Sequence, residues 1–108
     1  MNQDRANSQV GSLELDAQLS RYARGHSEQM ASRGQLFHTA NLPARLQGRQ
    51  WHVAGENVGV GPAIDDVYQA FMSSPPHRRN ILRKDFDHTA IGVSEQGGQV
   101  WVTLIFYG

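Results

Sequence analysis

The apolar positions of the chain follow different periods in different stretches, and each period predicts an element. Between Asp16 and Gly34, Leu19, Tyr22, Ala23, His26 and Met30 recur at helical spacing, with Gln18, Arg21, Arg24 and Glu28 mostly on the other side. That pattern predicts an amphipathic helix with one face on a core. Asp16 suits its N-cap, because a short carboxylate accepts from the free N–H groups of the first turn. Gly34 suits its end, because glycine adopts left-handed backbone without a steric penalty. Pro62 is expected to open a second helix with Ile64, Val67, Tyr68, Phe71 and Met72 as its apolar face, and Ser73-Ser74-Pro75-Pro76 is expected to end it, since proline lacks an N–H and clashes with the preceding turn. His77 to Leu82 predicts another short helical turn. Residues 1–8 predict a short polar helix broken at Val10-Gly11-Ser12.

Other stretches read as strands. Val53 to Gly61 is a strand interrupted by glycines, which mark a bulge or the close approach of another element. Ala90–Ser94 and Val100–Tyr107 form a hairpin around Gly97-Gly98. The last strand is apolar at nearly every position, so it is expected centrally, covered on both faces. Residues 35–52 are irregular, with Leu36, Phe37, Leu42, Leu46 and Trp51 as anchors. The order of elements predicts an α+β fold, helices layered on a mostly antiparallel sheet.

Composition narrows the function. The 108 residues suit one domain, residues 1–108, large enough to bury a core without staples. Ten basic and ten acidic side chains give zero formal charge, which argues against a dedicated nucleic-acid binder. The densest basic run, Arg78, Arg79, Arg83 and Lys84, is answered at once by Asp85 and Asp87. With no cysteine there is no disulfide framework, thiolate metal site or cysteine nucleophile. No transmembrane run or signal peptide is visible. The chain starts almost inside a helical pattern, so a leader or upstream region is expected to precede it.

The polar residues that are costly to bury are the candidates for chemistry. Glu56 lies mid-strand among apolar residues and glycines, where a carboxylate needs a partner to stay charged. His77 stands where a helix begins, and His38 follows Leu36-Phe37 in a loop. Two imidazoles and a carboxylate are the donor types of a metal site completed by water, or of general acid–base chemistry. No local motif such as His-Glu-x-x-His ties them together. His26 reads as a satisfied core or boundary histidine, His52 as exposed, and His88 as lining a turn. Ser73 and Ser74 lie near His77, yet no Gly-x-Ser-x-Gly elbow is present. The glycines fit neither a phosphate loop nor a dinucleotide fingerprint.

Read in order, these segments resemble the CAP superfamily of cysteine-rich secretory proteins, antigen 5 and pathogenesis-related proteins, in its cysteine-free bacterial branch, also called the SCP domain. The resemblance rests on Asn2-Gln3-Asp4-Arg5-Ala6, on Ala23-Arg24-Gly25-His26-Ser27-Glu28-Gln29-Met30-Ala31 and on Leu36-Phe37-His38. It continues through Gly55-Glu56-Asn57-Val58, through Phe71-Met72-Ser73-Ser74-Pro75-Pro76-His77-Arg78-Arg79-Asn80-Ile81-Leu82, and through Ala90-Ile91-Gly92-Val93 and Trp101 to Gly108. It implies a three-layer α-β-α sandwich with a central cleft. His38 and His77 would be the cleft histidines and metal ligands, with zinc the first candidate ion, and Glu56 a cleft acid and the candidate catalytic residue. Ser74 stands where the family's second cleft glutamate falls, which leaves one cleft carboxylate. Phe71 and Pro76 replace the usual Trp and Gly.

The resemblance implies a secreted, extracellular or cell-envelope protein, monomeric, whose cleft binds a small ligand, lipid, peptide, cell-wall fragment or divalent ion. The alternative is a metal-assisted hydrolase with Glu56 as base on a metal-bound water. A structural or signalling domain whose polar cluster only specifies the fold is the third reading.

Overall fold

A computed structural model describes residues 1–108. In chain order the elements are α1 (Asn2–Asn7), β1 (Glu14–Leu15), α2 (Ala17–Arg33), α3 (Leu42–Arg45), β2 (Ala54–Gly61), α4 (Ile64–Met72), α5 (Pro75–Leu82), β3 (His88–Gln96) and β4 (Gln99–Tyr107). The strands form one sheet in the order β1-β3-β4-β2. β4 runs antiparallel to both β3 and β2, and only the short β1 is parallel to its neighbour. β4 is therefore central, as its apolar run predicts, and every residue of it after Gln99 is buried.

Period-two alternation along β4 divides the core between the two faces of the sheet. Val100, Val102, Leu104 and Phe106 pack with Val67 and Phe71 of α4, Ile81 of α5, and Leu13 and Phe86. Ile105 and Tyr107 face the other way, onto Leu19 and Ala23 of α2, and Trp101 packs with Met30 of α2 and Val58 of β2. The result is an α-β-α sandwich with α2 on one face and α4 and α5 on the other. A Phe106→Ala truncation at this wholly buried position would cost about 3–5 kcal/mol.

Helix α2 starts and stops as its sequence predicts. Asp16 accepts from the Leu19 N–H at 2.9 Å, and Gly34 adopts φ 63°. Asp16 also accepts from Arg49 Nε at 2.5 Å and from the Tyr107 hydroxyl at 2.7 Å. The Arg49 bond, with lesser help from Leu19 and Tyr107, holds the Asp16 carboxyl well below the ordinary carboxylate range against the opposing effect of burial. Burial, then the bond to Asp16, pushes Tyr107 up to about 12. This cluster fastens the irregular 35–52 segment to the sandwich. Gly92 lets α2 lie directly on β3: a Cβ there would run into the backbone of Ala23 and Arg24. Ser27 uses the same closeness to donate to the Gly92 carbonyl at 3.0 Å.

Several local expectations are corrected. Pro75 and Pro76 do not merely end α4; they open α5 as its first residues, where a missing N–H costs nothing because no intrahelical acceptor awaits it. α4 starts at Ile64 rather than at Pro62, and the irregular stretch contains the one-turn α3. His88 lies on β3 with its ring stacked on Tyr107, centroids 4.7 Å apart, rather than lining a turn. Helix α1 carries one fully buried residue, Arg5. Its guanidinium donates to the carbonyls of Gly11 at 2.6 Å, Ile81 at 2.9 Å, Arg83 at 3.0 Å and Phe86 at 2.8 Å. Burial lowers its pKa, but the carbonyls take up the fork and α1 is stapled to the end of α5.

Candidate functional site

The candidate site is built on β2, an edge strand paired only with β4. Adjacent side chains of a strand point to opposite faces, and Glu56 and Asn57 use this to hold different segments. On the α2 side, Glu56 accepts from the Thr39 N–H (2.9 Å), the Thr39 hydroxyl (2.5 Å) and His38 Nδ1 (2.8 Å). Its side chain is 5% exposed while that of His38 is 67% exposed. The acid is thus spent inward, and the imidazole stands outward on it. The Tyr22 hydroxyl lies 3.1 Å from Thr39 Oγ1 and ties the group to α2.

On the other side, the Asn57 amide donates to the His77 carbonyl at 3.0 Å, and Asn80 donates to Asn57 Oδ1 at 2.9 Å. Asn57 is fully buried, so these bonds fix the start of α5 against the strand. The prolines then shape the chemistry of Ser74. A serine N-cap normally accepts from the N–H of the second or third helical residue. Here the first two are Pro75 and Pro76, and Ser74 caps no backbone N–H. Its hydroxyl instead meets His77 Nδ1 at 2.8 Å. The His77 ring stacks on Phe71, centroids 5.2 Å apart and planes 25° from parallel.

Both histidines therefore have Nδ1 engaged, one by a carboxylate and one by a hydroxyl, and neither Nε2 is bonded to protein. They do not share a cavity. His77 and Ser74 line a cavity of about 290 Å³ along the β2 edge, walled by Leu36, Val58, Gly59 and Phe71. His38 lines one of about 400 Å³ over α2, with Tyr22, His26 and Phe37. No group of three or more His, Asp or Glu side chains is gathered closely enough to hold a metal ion. His26 is 4% exposed with Nε2 2.7 Å from the Phe37 carbonyl, a satisfied core histidine as its position predicts, and His52 is exposed.

Thr39, Asn57 and Asn80 are the site residues that sequence reasoning misses. A legible signal existed for Asn57: two adjacent polar residues in an apolar strand must face opposite ways, so each needs its own partner. Nothing local marks Thr39 as the donor to a carboxylate seventeen positions on.

Comparison with known proteins agrees with this architecture. A sequence model of the CAP family, described as the cysteine-rich secretory protein family, matches residues 1–106. The chain belongs to that family. It is 32% identical over 107 residues to the uncharacterized protein YkwD of Bacillus subtilis, covering 93% of this chain and 41% of YkwD. It superposes at a TM-score of 0.83, with 26% identity, on an extracellular SCP-domain protein of Bacillus anthracis, covering 98% of this chain and 37% of that one. An outer surface protein of Borrelia burgdorferi shares the fold at a TM-score of 0.86 and 17% identity, over 98% of this chain and 84% of its own. The chain thus spans well under half the length of both Bacillus relatives. No helix is long and apolar enough to cross a membrane.

Proposed function

We propose that this CAP domain is a binding module working outside the cytoplasm, with its cleft along the open edge of β2 and His38 and His77 as its polar contacts. The observation that carries this is the state of Glu56. Both its oxygens accept from Thr39 and His38, and its side chain is only 5% exposed, so the carboxylate is engaged inward with the 38–39 segment. A general base must reach the proton it removes; Glu56 instead holds an imidazole in place. The extracellular and outer-surface descriptions of structural neighbours support the location.

A divalent ion, zinc first, would be taken by the Nε2 atoms of His38 and His77 by bridging the two cavities they line. On His38 the Glu56 carboxylate accepts from Nδ1 and leaves Nε2 the free nitrogen, as outer partners of metal-bound imidazoles do, while the Ser74 hydroxyl serves either tautomer of His77. Two imidazoles fit a weak site completed by water or ligand, not the three protein ligands of catalytic zinc. Such an ion would supply an open coordination position for a ligand oxygen. The metal-assisted hydrolase with Glu56 as base is the less favoured reading.

The test is calorimetric titration of zinc into chelator-stripped protein at neutral pH, beside a His38→Ala/His77→Ala variant and a hydrolysis screen on ester, peptide and phosphoester substrates. Saturable one-to-one binding lost in the double variant supports the histidines as a paired contact. Absence of binding in the wild type removes the metal from the reading. Turnover that disappears in Glu56→Gln overturns the binding module in favour of the hydrolase.

A further inference from the structure

The cavity over α2 has a chemistry of its own. Its floor comes from one stripe of the helix, Tyr22, Gly25, His26 and Gln29, with Phe37 of the following loop. The rings are linked: His26 meets Phe37 edge-on at 4.9 Å, and Tyr22 lies 6.3 Å from His26. At opposite ends stand two guanidiniums, Arg45 4.4 Å above the Tyr22 ring and Arg33 4.8 Å above that of Phe37. Both belong to the cavity wall, and no acidic residue does. Neither arginine has a carboxylate partner, although Arg24, Arg49 and Arg83 each have one.

A guanidinium over an aromatic face is held there by the ring's quadrupole while its N–H groups stay available to a ligand. A guanidinium so positioned can pair its planar fork bidentately with a carboxylate or phosphate. Gly25 adds a second, independent sign. Glycine inside a helix weakens it, and close packing is no reason for one here: nothing lies within 4 Å of a Cβ built at Gly25. The space that side chain would take is the cavity itself. The floor is also rigid, since Tyr22 is tied through Thr39 to Glu56.

We infer that this cavity is a binding site for a ligand carrying more than one oxyanion group, carboxylate or phosphate, gripped by Arg33 and Arg45 over the Tyr22-His26-Phe37 floor. The floor gives an extended peptide no row of main-chain partners, because the α2 backbone bonds within the helix. Three hydrophobic residues among the nine that line it are too few for an acyl chain. The inference shares His38 with the proposed binding module, because that imidazole lines this cavity too. Neither Arg33, Arg45 nor Gly25 lines the His77 cavity, so anion binding lost on changing those three with zinc binding intact separates the two readings.

The test uses arginine Nε–H NMR signals of the intact chain, titrated with citrate, with pyrophosphate and, at matched ionic strength, with sodium chloride. Saturable shifts confined to Arg33 and Arg45 are expected with at least one of the polyanions; citrate or pyrophosphate as the tighter ligand identifies carboxylate or phosphate as the source. Arg33→Lys and Arg45→Lys keep the charge but lose the fork, and each should weaken binding about tenfold. Gly25→Leu should abolish binding while the melting temperature holds or rises, because leucine is the better helix former. Shifts spread evenly over all arginines, shifts reproduced by chloride, or binding that survives Gly25→Leu would overturn the site.

Discussion

Glu56→Ala removes an acceptor that three donors share, and the structure sets what that should cost. Thr39 is 9% exposed, so its N–H and hydroxyl are poorly placed to recover hydrogen bonds from water, each loss costing roughly 1–3 kcal/mol. His38, two-thirds exposed, rehydrates and adds little. The expected loss is about 3 kcal/mol, with Thr39 N–H and hydroxyl as its main sources. For a chain of this size that lowers Tm by about 12 °C. Glu56→Gln should be much milder, about 1 kcal/mol. Its carbonyl oxygen keeps the Thr39 N–H, and its amide donates to Thr39 Oγ1 once that hydroxyl turns. Thermal melts and urea titrations at pH 7 measure both variants. A Glu56→Ala protein melting within about 2 °C of wild type, or a glutamine variant less stable than the alanine one, would refute the assignment of Glu56 as the clasp of the 38–39 segment.

Other parts of the structure make independent predictions. Arg5→Met leaves the Gly11, Ile81, Arg83 and Phe86 carbonyls without their donor and should cost about 3–5 kcal/mol by urea denaturation; a loss under about 1 kcal/mol would show that the staple is dispensable. Asp16 has its folded pKa depressed, so its stabilisation is complete above the unfolded value near 3.9 and declines as pH falls below about 4. Asp16→Asn should flatten that acid limb. Tyr107, raised to about 12 in the folded chain, contributes the opposite limb: stability falls as pH climbs above about 10, and Tyr107→Phe should remove that slope. Gly92→Ala forces a methyl into the α2 backbone and should destabilise by about 4 kcal/mol or more, read as loss of soluble protein or of cooperative melting.

How much of this was legible in the sequence follows from which interactions are local. Helix α2 was readable from end to end because its periodicity, its Asp16 cap and its Gly34 stop all lie within the helix and its borders. The hairpin was readable for the same reason: its turn glycines sit at φ 63° and 78°, conformations that glycine adopts freely. The two-residue β1 was not, because it pairs with β3 some seventy positions away and carries no strand pattern of its own. Arg5 looked like one more polar residue of a polar helix. Its burial depends on carbonyls left free at the far end of α5, information the first ten residues do not hold.

The site divides along the same line. Its candidate residues could be picked out as Glu56, His38, His77 and Ser74, yet their roles come from edge-strand geometry rather than from residue type. Had Glu56 and Asn57 faced one side, the two histidine segments would compete for one surface. Because they face opposite ways, each segment is brought to the same open edge from its own layer and fixed there by its own bonds. Pro76 completes the arrangement by removing the N–H that Ser74 could cap at the second helical position, and the serine hydroxyl is bonded to the His77 ring instead. A serine in that place can orient an imidazole as a carboxylate can, but it brings no charge. Each half of the site therefore holds one imidazole by Nδ1, with the single carboxylate buried behind His38. That distribution, one exposed imidazole and one half-buried against Phe71, suits two polar contacts for a bound ligand better than a base and its metal.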